Sequence, residues 1–80
     1  MADLRTKAHE ADVTVWVGKA GIASVVDELD DQLGDRDVVK VKFLRASRGG
    51  TTTEELAEDL AEKANAEVFE TRGNTAVYTR

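Results

Sequence analysis

Cysteine is absent from the 80 residues, so neither a disulfide nor a thiolate-held zinc site braces the fold. Proline is absent as well, which fits one compact domain without extended linkers. There is one histidine, His9, and therefore no second imidazole with which to build a metal site or an acid–base pair. A surface or capping role is expected for it. No run of residues has the apolar length of a membrane span or a signal-peptide centre, and a cytoplasmic location is the expectation. A G-x-S-x-G elbow, a metal-ligand cluster and a cysteine nucleophile are all missing, so the expectation is a protein that is not an enzyme and needs no cofactor. What is present, a hydrophobic fraction of 41% without an internal repeat, supports a single domain over residues 1–80 with one core.

The charge is unevenly spread. The net value is -5, which taken alone disfavours a nucleic-acid partner. Residues 22–35 and 52–65, however, hold ten acids and one base, Lys63, whereas the rest of the chain holds ten bases against six acids. The expected molecule is polarised, with acidic helix surfaces and a basic remainder. The acidity also fits a halophile-like protein, because at 1 M salt the Debye length is about 3 Å and surface carboxylates hardly repel a distant ligand.

The organising stretch is Val13 to Leu33. Val13-Thr14-Val15-Trp16-Val17 reads as a strand, with the three valines on one face and Thr14 and Trp16 on the other. Trp16 either packs on a core or offers a stacking platform for a base or ribose. Gly18-Lys19-Ala20-Gly21 reads as a tight turn. Ile22, Val25, Val26, Leu29 and Leu33 then form the apolar stripe of a helix that Gly34 is placed to stop. The carboxylates opposite that stripe lie on an open surface, where solvation rather than acid–base chemistry is their expected role.

A strand that turns into a helix through two glycines suits a phosphate. The first helical amides lack intrahelical acceptors, glycine allows close backbone approach, and Lys19 adds a full charge. The spacing is neither that of a nucleotidase P-loop nor that of a dinucleotide fingerprint. It is that of a GxxG loop, which clamps the backbone of RNA.

Ala2 to Glu10 reads as a first helix carrying Arg5 and Lys7. Val38 to Leu44 alternates cleanly, with Val39, Val41 and Phe43 on a buried side and Lys40 and Lys42 together on the other, where they either solubilise an open sheet face or touch phosphates. The segment Arg45 to Thr51 makes a second basic, glycine-containing junction. If the two strands are parallel neighbours, Lys19, Arg45 and Arg48 converge at one sheet edge. Thr51 and Thr52, each followed three residues on by a glutamate, give two capping-box registers for a helix that Asn65 helps to end. Glu67 to Arg72 and Thr75 to Thr79, joined by Gly73-Asn74, read as a hairpin flanked by Arg72 and Arg80. The expected fold is an α/β sandwich in the order α-β-α-β-α-β-β, a four-stranded mixed sheet with helices on one face.

The runs Leu4-Arg5, Lys7-Ala8-His9, Val15 to Ile22, Val39 to Phe43 and Gly73-Asn74-Thr75, with Val77 and Arg80, resemble the CRM domain. This is the RNA-binding module of YhbY-type ribosome-maturation proteins and of chloroplast group II intron splicing factors. The resemblance implies a fold similar to the C-terminal domain of translation initiation factor three. It also implies association with a structured RNA, a large-subunit ribosomal precursor. By that match Gly18, Lys19, Ala20 and Gly21 take the binding-loop role, and Arg5 and Lys7 a supporting basic role. Two places depart from the family pattern. Glu10-Ala11-Asp12 stands where a leucine-lysine-proline step is common, and Tyr78-Thr79-Arg80 moves the usual aromatic by one residue, so the role of that tyrosine is not transferred.

The reading is thus RNA binding through Gly18, Lys19, Ala20 and Gly21, with Arg5, Lys7, Lys40, Lys42, Arg45, Arg48 and Arg72 as candidate contacts. The rival is a protein-interaction module whose acidic helices dock on a basic partner such as a ribosomal protein. No membrane and no small-molecule substrate are expected. A halophile-like chain should lose compactness in dilute buffer, which circular dichroism across a salt series would register; an unchanged spectrum counts against salt adaptation.

Overall fold

The computed structural model describes residues 4–45 and 50–80, the side chain of Leu4 excepted. The elements are α1 (Leu4–Glu10), β1 (Val13–Val17), a 3-10 turn (Ile22–Val25), α2 (Val26–Asp35), β2 (Val39–Phe43), α3 (Thr53–Ala64), β3 (Glu67–Arg72) and β4 (Thr75–Thr79). They build one mixed sheet in the order β1-β2-β4-β3. β1 and β2 are parallel, and the other two pairings are antiparallel. The α/β architecture and element order are those expected.

Alternation decides which side chains enter the main core. Val39, Val41 and Phe43 of β2 and Ala76 and Tyr78 of β4 meet Leu29 and Leu33 of α2 and Ala57, Leu60, Ala61 and Ala64 of α3. The alanines let α3 lie close to the sheet. Tyr78 fits beneath it, fully buried, its hydroxyl donating to the Ala57 carbonyl at 2.8 Å. The short α1 does not join α2 and α3. Ala8 packs with Val38 and Val77, next to Ala11 and Phe69, so α1 crosses the opposite face of the sheet and makes a second, smaller core there.

Both edge strands are bulged. Val13 pairs with Lys40 and Val15 with Val41, so β1 spends two residues against one of β2. The strict alternation expected of β1 therefore breaks at Thr14, and Val13 shares the face of Lys40 while Val15 and Val17 enter the main core. The Thr14 hydroxyl donates to the Gln32 side-chain carbonyl at 2.5 Å, which ties the bulge to α2. β3 bulges between Val68 and Glu70.

Helix ends follow local chemistry with one exception. Of the two capping registers α3 uses Thr52, whose hydroxyl accepts from the Glu55 N–H at 3.2 Å. Thr51 instead donates its hydroxyl to the Glu55 carboxylate. Asn65 closes α3 in the left-handed conformation, φ 55. Gly34 does not stop α2. It is helical, and α2 ends one residue later because Arg36 is extended, leading directly toward β2. The start of the same helix is a 3-10 turn, where the Ser24 hydroxyl donates to the Gly21 carbonyl at 2.8 Å; such tightening is common at helix N-termini.

Burial pushes the Tyr78 phenol well above its ordinary value. The folded chain therefore holds its proton at pH values where the unfolded chain releases it. This contribution to stability is complete below pH ~10, the unfolded value, and is lost as pH rises beyond it. Tyr78→Phe should cost about 1 kcal/mol at neutral pH and flatten part of the alkaline decline. Urea titrations of both proteins at neutral and alkaline pH check the two effects.

Candidate nucleic-acid interface

The register Val17 opposite Phe43 brings the C-terminal ends of the two parallel strands level. The Leu44 N–H donates to the Val17 carbonyl at 2.9 Å, and the Leu44 side chain lies 3.9 Å from where a Cβ on Gly18 would stand. The Gly18–Gly21 turn and the Arg45 junction are thus neighbours at one edge. The β3–β4 turn reaches the same edge, since the Phe43 N–H donates to the Asn74 carbonyl at 2.7 Å.

Within the turn, the Gly21 N–H donates to the Gly18 carbonyl at 3.0 Å, so one of the loop's donors is used internally. The amides of Lys19 and Ala20, and those of Ile22 and Ala23 just beyond, have no acceptor among the described residues. Lys19 and Ala20 are exposed. The two glycines serve different purposes. Gly21 sits at φ 83 and ψ -178, a conformation open essentially to glycine alone. Gly18 has no positive φ, and a methyl group there would meet only the Leu44 side chain at ordinary contact distance.

The remaining candidate cations fall into three groups. Lys42 and Arg72 join the edge region. The pairings Trp16 with Lys42, Lys42 with Thr75 and Thr75 with Arg72 set these four residues in one row across all four strands, on the face away from α2 and α3. Lys19, Lys42, Arg45 and Arg72 form no ion pair with any described residue. Lys40 stands one row back, near α1, where its ammonium donates to the Ala11 carbonyl at 3.4 Å. Lys7 is ion-paired with Asp37, ahead of β2, and Arg5 is exposed on α1. Asp37 and Phe43 are six residues apart, roughly 20 Å along an extended chain, so Lys7 does not share the edge of Lys19. Arg48 lies outside the described residues.

Trp16 packs on neither core. It is 54% exposed, although Val15 and Val17 beside it are buried. Beside its row lies a cleft of about 150 Å³ between α1 and the sheet, with His9, Val13, Lys40, Glu70, Arg72 and Thr75 in its walls. His9 is exposed, as its solitary occurrence suggested. The acids of α2 and α3 occupy the outer surface on the other side of the sheet. Sequence reasoning missed the four-residue row, because it depends on cross-strand register. Its one legible sign was an aromatic on the polar face of a strand.

No described helix is long and apolar enough to cross a membrane, and no group of three or more described His, Cys, Asp or Glu residues is placed to hold a metal ion. The fold and edge define a small α/β domain that presents together main-chain donors and cations that have no ion pair among the described residues. The CRS1/YhbY (CRM) domain model matches residues 1–80, and the chain belongs to that family. A Methanocaldococcus jannaschii protein described as a probable RNA-binding protein is 40% identical over 77 residues, which are 96% of this chain and 58% of that one. The chain thus spans little more than half the length of that relative. The solution structure of a hypothetical Staphylococcus aureus protein, described as a candidate RNA-binding protein, superposes with a TM-score of 0.75 at 33% identity, covering 96% of this chain and 79% of that one.

The contrast between the two glycines is measurable. Gly21→Ala forces a β-carbon into a strained backbone and should destabilise the fold by about 1–3 kcal/mol, whereas Gly18→Ala should leave stability nearly unchanged. Thermal or urea unfolding of the two variants compares them directly.

Proposed function

We propose that this chain is a non-catalytic RNA-binding protein that holds RNA phosphates at the Gly18–Gly21 turn and acts in assembly or maturation of the large ribosomal subunit, or in RNA folding more generally. The observation that carries the reading is the convergence of the Gly18–Gly21 turn and the Arg45 junction at one edge, where the amides of Lys19 and Ala20 and the cations of Lys19 and Arg45 have no partner among the described residues. Family membership and the descriptions of the two relatives support RNA as the polyanion.

In this reading the backbone donors and Lys19 hold the phosphates, Arg45 reinforces the same edge, and Lys42 and Arg72 extend the contact across the open face. Lys40, Arg5 and Lys7 are more distant supports. The acids of α2 and α3 oppose this little. They lie behind the sheet, and sheet-to-helix packing already approaches the Debye length of about 10 Å at 0.1 M salt. The same segregation leaves the acidic helices available to a basic ribosomal protein while RNA occupies the other side.

Phosphate contacts carry no sequence information. Lys19→Glu should therefore weaken binding to unrelated RNA sequences alike, and loss of its contact should lower the slope of log affinity against log salt by about one unit. Filter binding or anisotropy over a salt series measures both. An effect confined to one RNA sequence would argue for base readout and against the phosphate role. Gly18→Ala supplies a companion test, because it should reduce affinity through lost backbone approach without lowering stability.

A further inference from the structure

We infer that the open sheet face, distinct from the glycine turn, is a stacking platform for an unpaired nucleobase, with Trp16 beneath the base and Lys42 and Arg72 on the phosphates beside it. The inference rests on the RNA reading above and specifies that the RNA is engaged where it is single-stranded.

Three observations carry it. Trp16, the fourth of the five residues of β1, leaves 54% of its surface in water although its neighbours Val15 and Val17 are 1% and 0% exposed. A solvated strand position needs only a small polar side chain, and an indole there keeps a large apolar area exposed. Second, the residue directly opposite Trp16 is Lys42, and the same row continues through Thr75 to Arg72. Strands stand about 4.8 Å apart, so the row spans roughly 14 Å with an aromatic at one end, a cation beside it and another cation at the far end. Neither Lys42 nor Arg72 is neutralised by a described residue. Third, α1 covers only part of this face. Its contacts are with Val38, Val77 and Phe69, and the cleft beside Arg72 and Thr75 remains open.

The chemistry of an occupant follows. A flat apolar ring flanked by positive charge favours a flat ring that carries negative charge on its linkage, which is a nucleotide in an unpaired strand. Aromatic side chains on an exposed four-stranded sheet stack bases in this manner. A duplex keeps its bases stacked on each other and offers Trp16 only its backbone. Glu67 and Glu70 share the face but stand in the rows farther from the Gly18–Gly21 edge, so the strand runs along the Trp16–Arg72 row. Trp16 is also close in sequence to Gly18, and phosphates held at the turn would place the next bases over the indole.

Trp16 is the sole tryptophan, so its fluorescence reports this face without a label. The full chain is titrated at fixed ionic strength with three probes: a ten-nucleotide unstructured RNA, an abasic strand of the same length, and a ten-base-pair RNA duplex. The unstructured RNA should quench the emission saturably, and the abasic strand should bind more weakly without quenching. Trp16→Ala should lose about tenfold in affinity for the unstructured RNA, match the wild type on the other two probes, and keep the salt slope, while Trp16→Phe restores most of the loss. Lys19→Glu should weaken binding of all three probes and still be quenched by the unstructured RNA at saturation. Equal binding of the unstructured RNA by Trp16→Ala and wild type overturns the platform while leaving the loop reading standing. Failure of the wild type to bind any probe overturns both readings. Emission that shifts to the blue as the protein alone is concentrated would show a second copy as the natural cover of this face, and would also overturn it.

Discussion

The bond from the Leu44 N–H to the Val17 carbonyl is the last rung of the only parallel pairing in the described sheet, and the meeting of the glycine turn with the Arg45 junction depends on it. Parallel neighbours end at the same edge. Gly18 and the Leu44–Arg45 exit from β2, far apart in sequence, are therefore held within one strand spacing of each other. A one-residue slip in that pairing would do two kinds of damage. It would separate the loops, and it would turn Lys42 inward and Phe43 outward, which burial of Phe43 forbids. The hydrophobic pattern of β2 thus fixes the surface as well as the core.

The sheet also acts as a partition of charge. Helix faces that point away from the core carry most of the carboxylates, and the opposite face carries Lys40, Lys42 and Arg72. A net charge of -5 says little about such a molecule, because the field near either face is set by the nearest groups and is screened over a length comparable to the thickness of the domain. Ion pairing sharpens the division. Lys7 is occupied by Asp37 and Arg80 by Asp30, while the cations nearest the glycine turn are left without carboxylate partners among the described residues.

Much of this was legible in the sequence. The alternation in β2, the threonine cap of α3 and the hairpin from Glu67 to Thr79 are local signals, and local physics decides them. The convergence of Lys19 and Arg45 followed from assuming a parallel pair. What was not legible depends on register or on competition between elements. The bulge at Thr14 reverses the side of Val13, and a bulge is one extra residue that periodicity alone does not reveal. Gly34 looked like a stop, yet the helix ran past it because an extended Arg36 supplies the exit and no left-handed residue is required. Trp16 was ambiguous because an indole suits a core and a binding surface equally well; only the placement of α1 over the far end of the face resolves where it lies. The separation of Lys7 from the glycine edge is likewise a matter of which end of a strand it meets.

The two irregular strands lie at the two borders of the sheet, β1 on one side and β3 on the other. A border strand with an unbroken row of free amide and carbonyl groups invites another polypeptide to add itself as the next strand. Here each border ladder is interrupted by an extra residue, and β3 adds Glu67, Glu70 and Arg72 along its length. Lateral growth into ribbons or fibrils is thereby discouraged from both directions, without longer loops or a guarding helix.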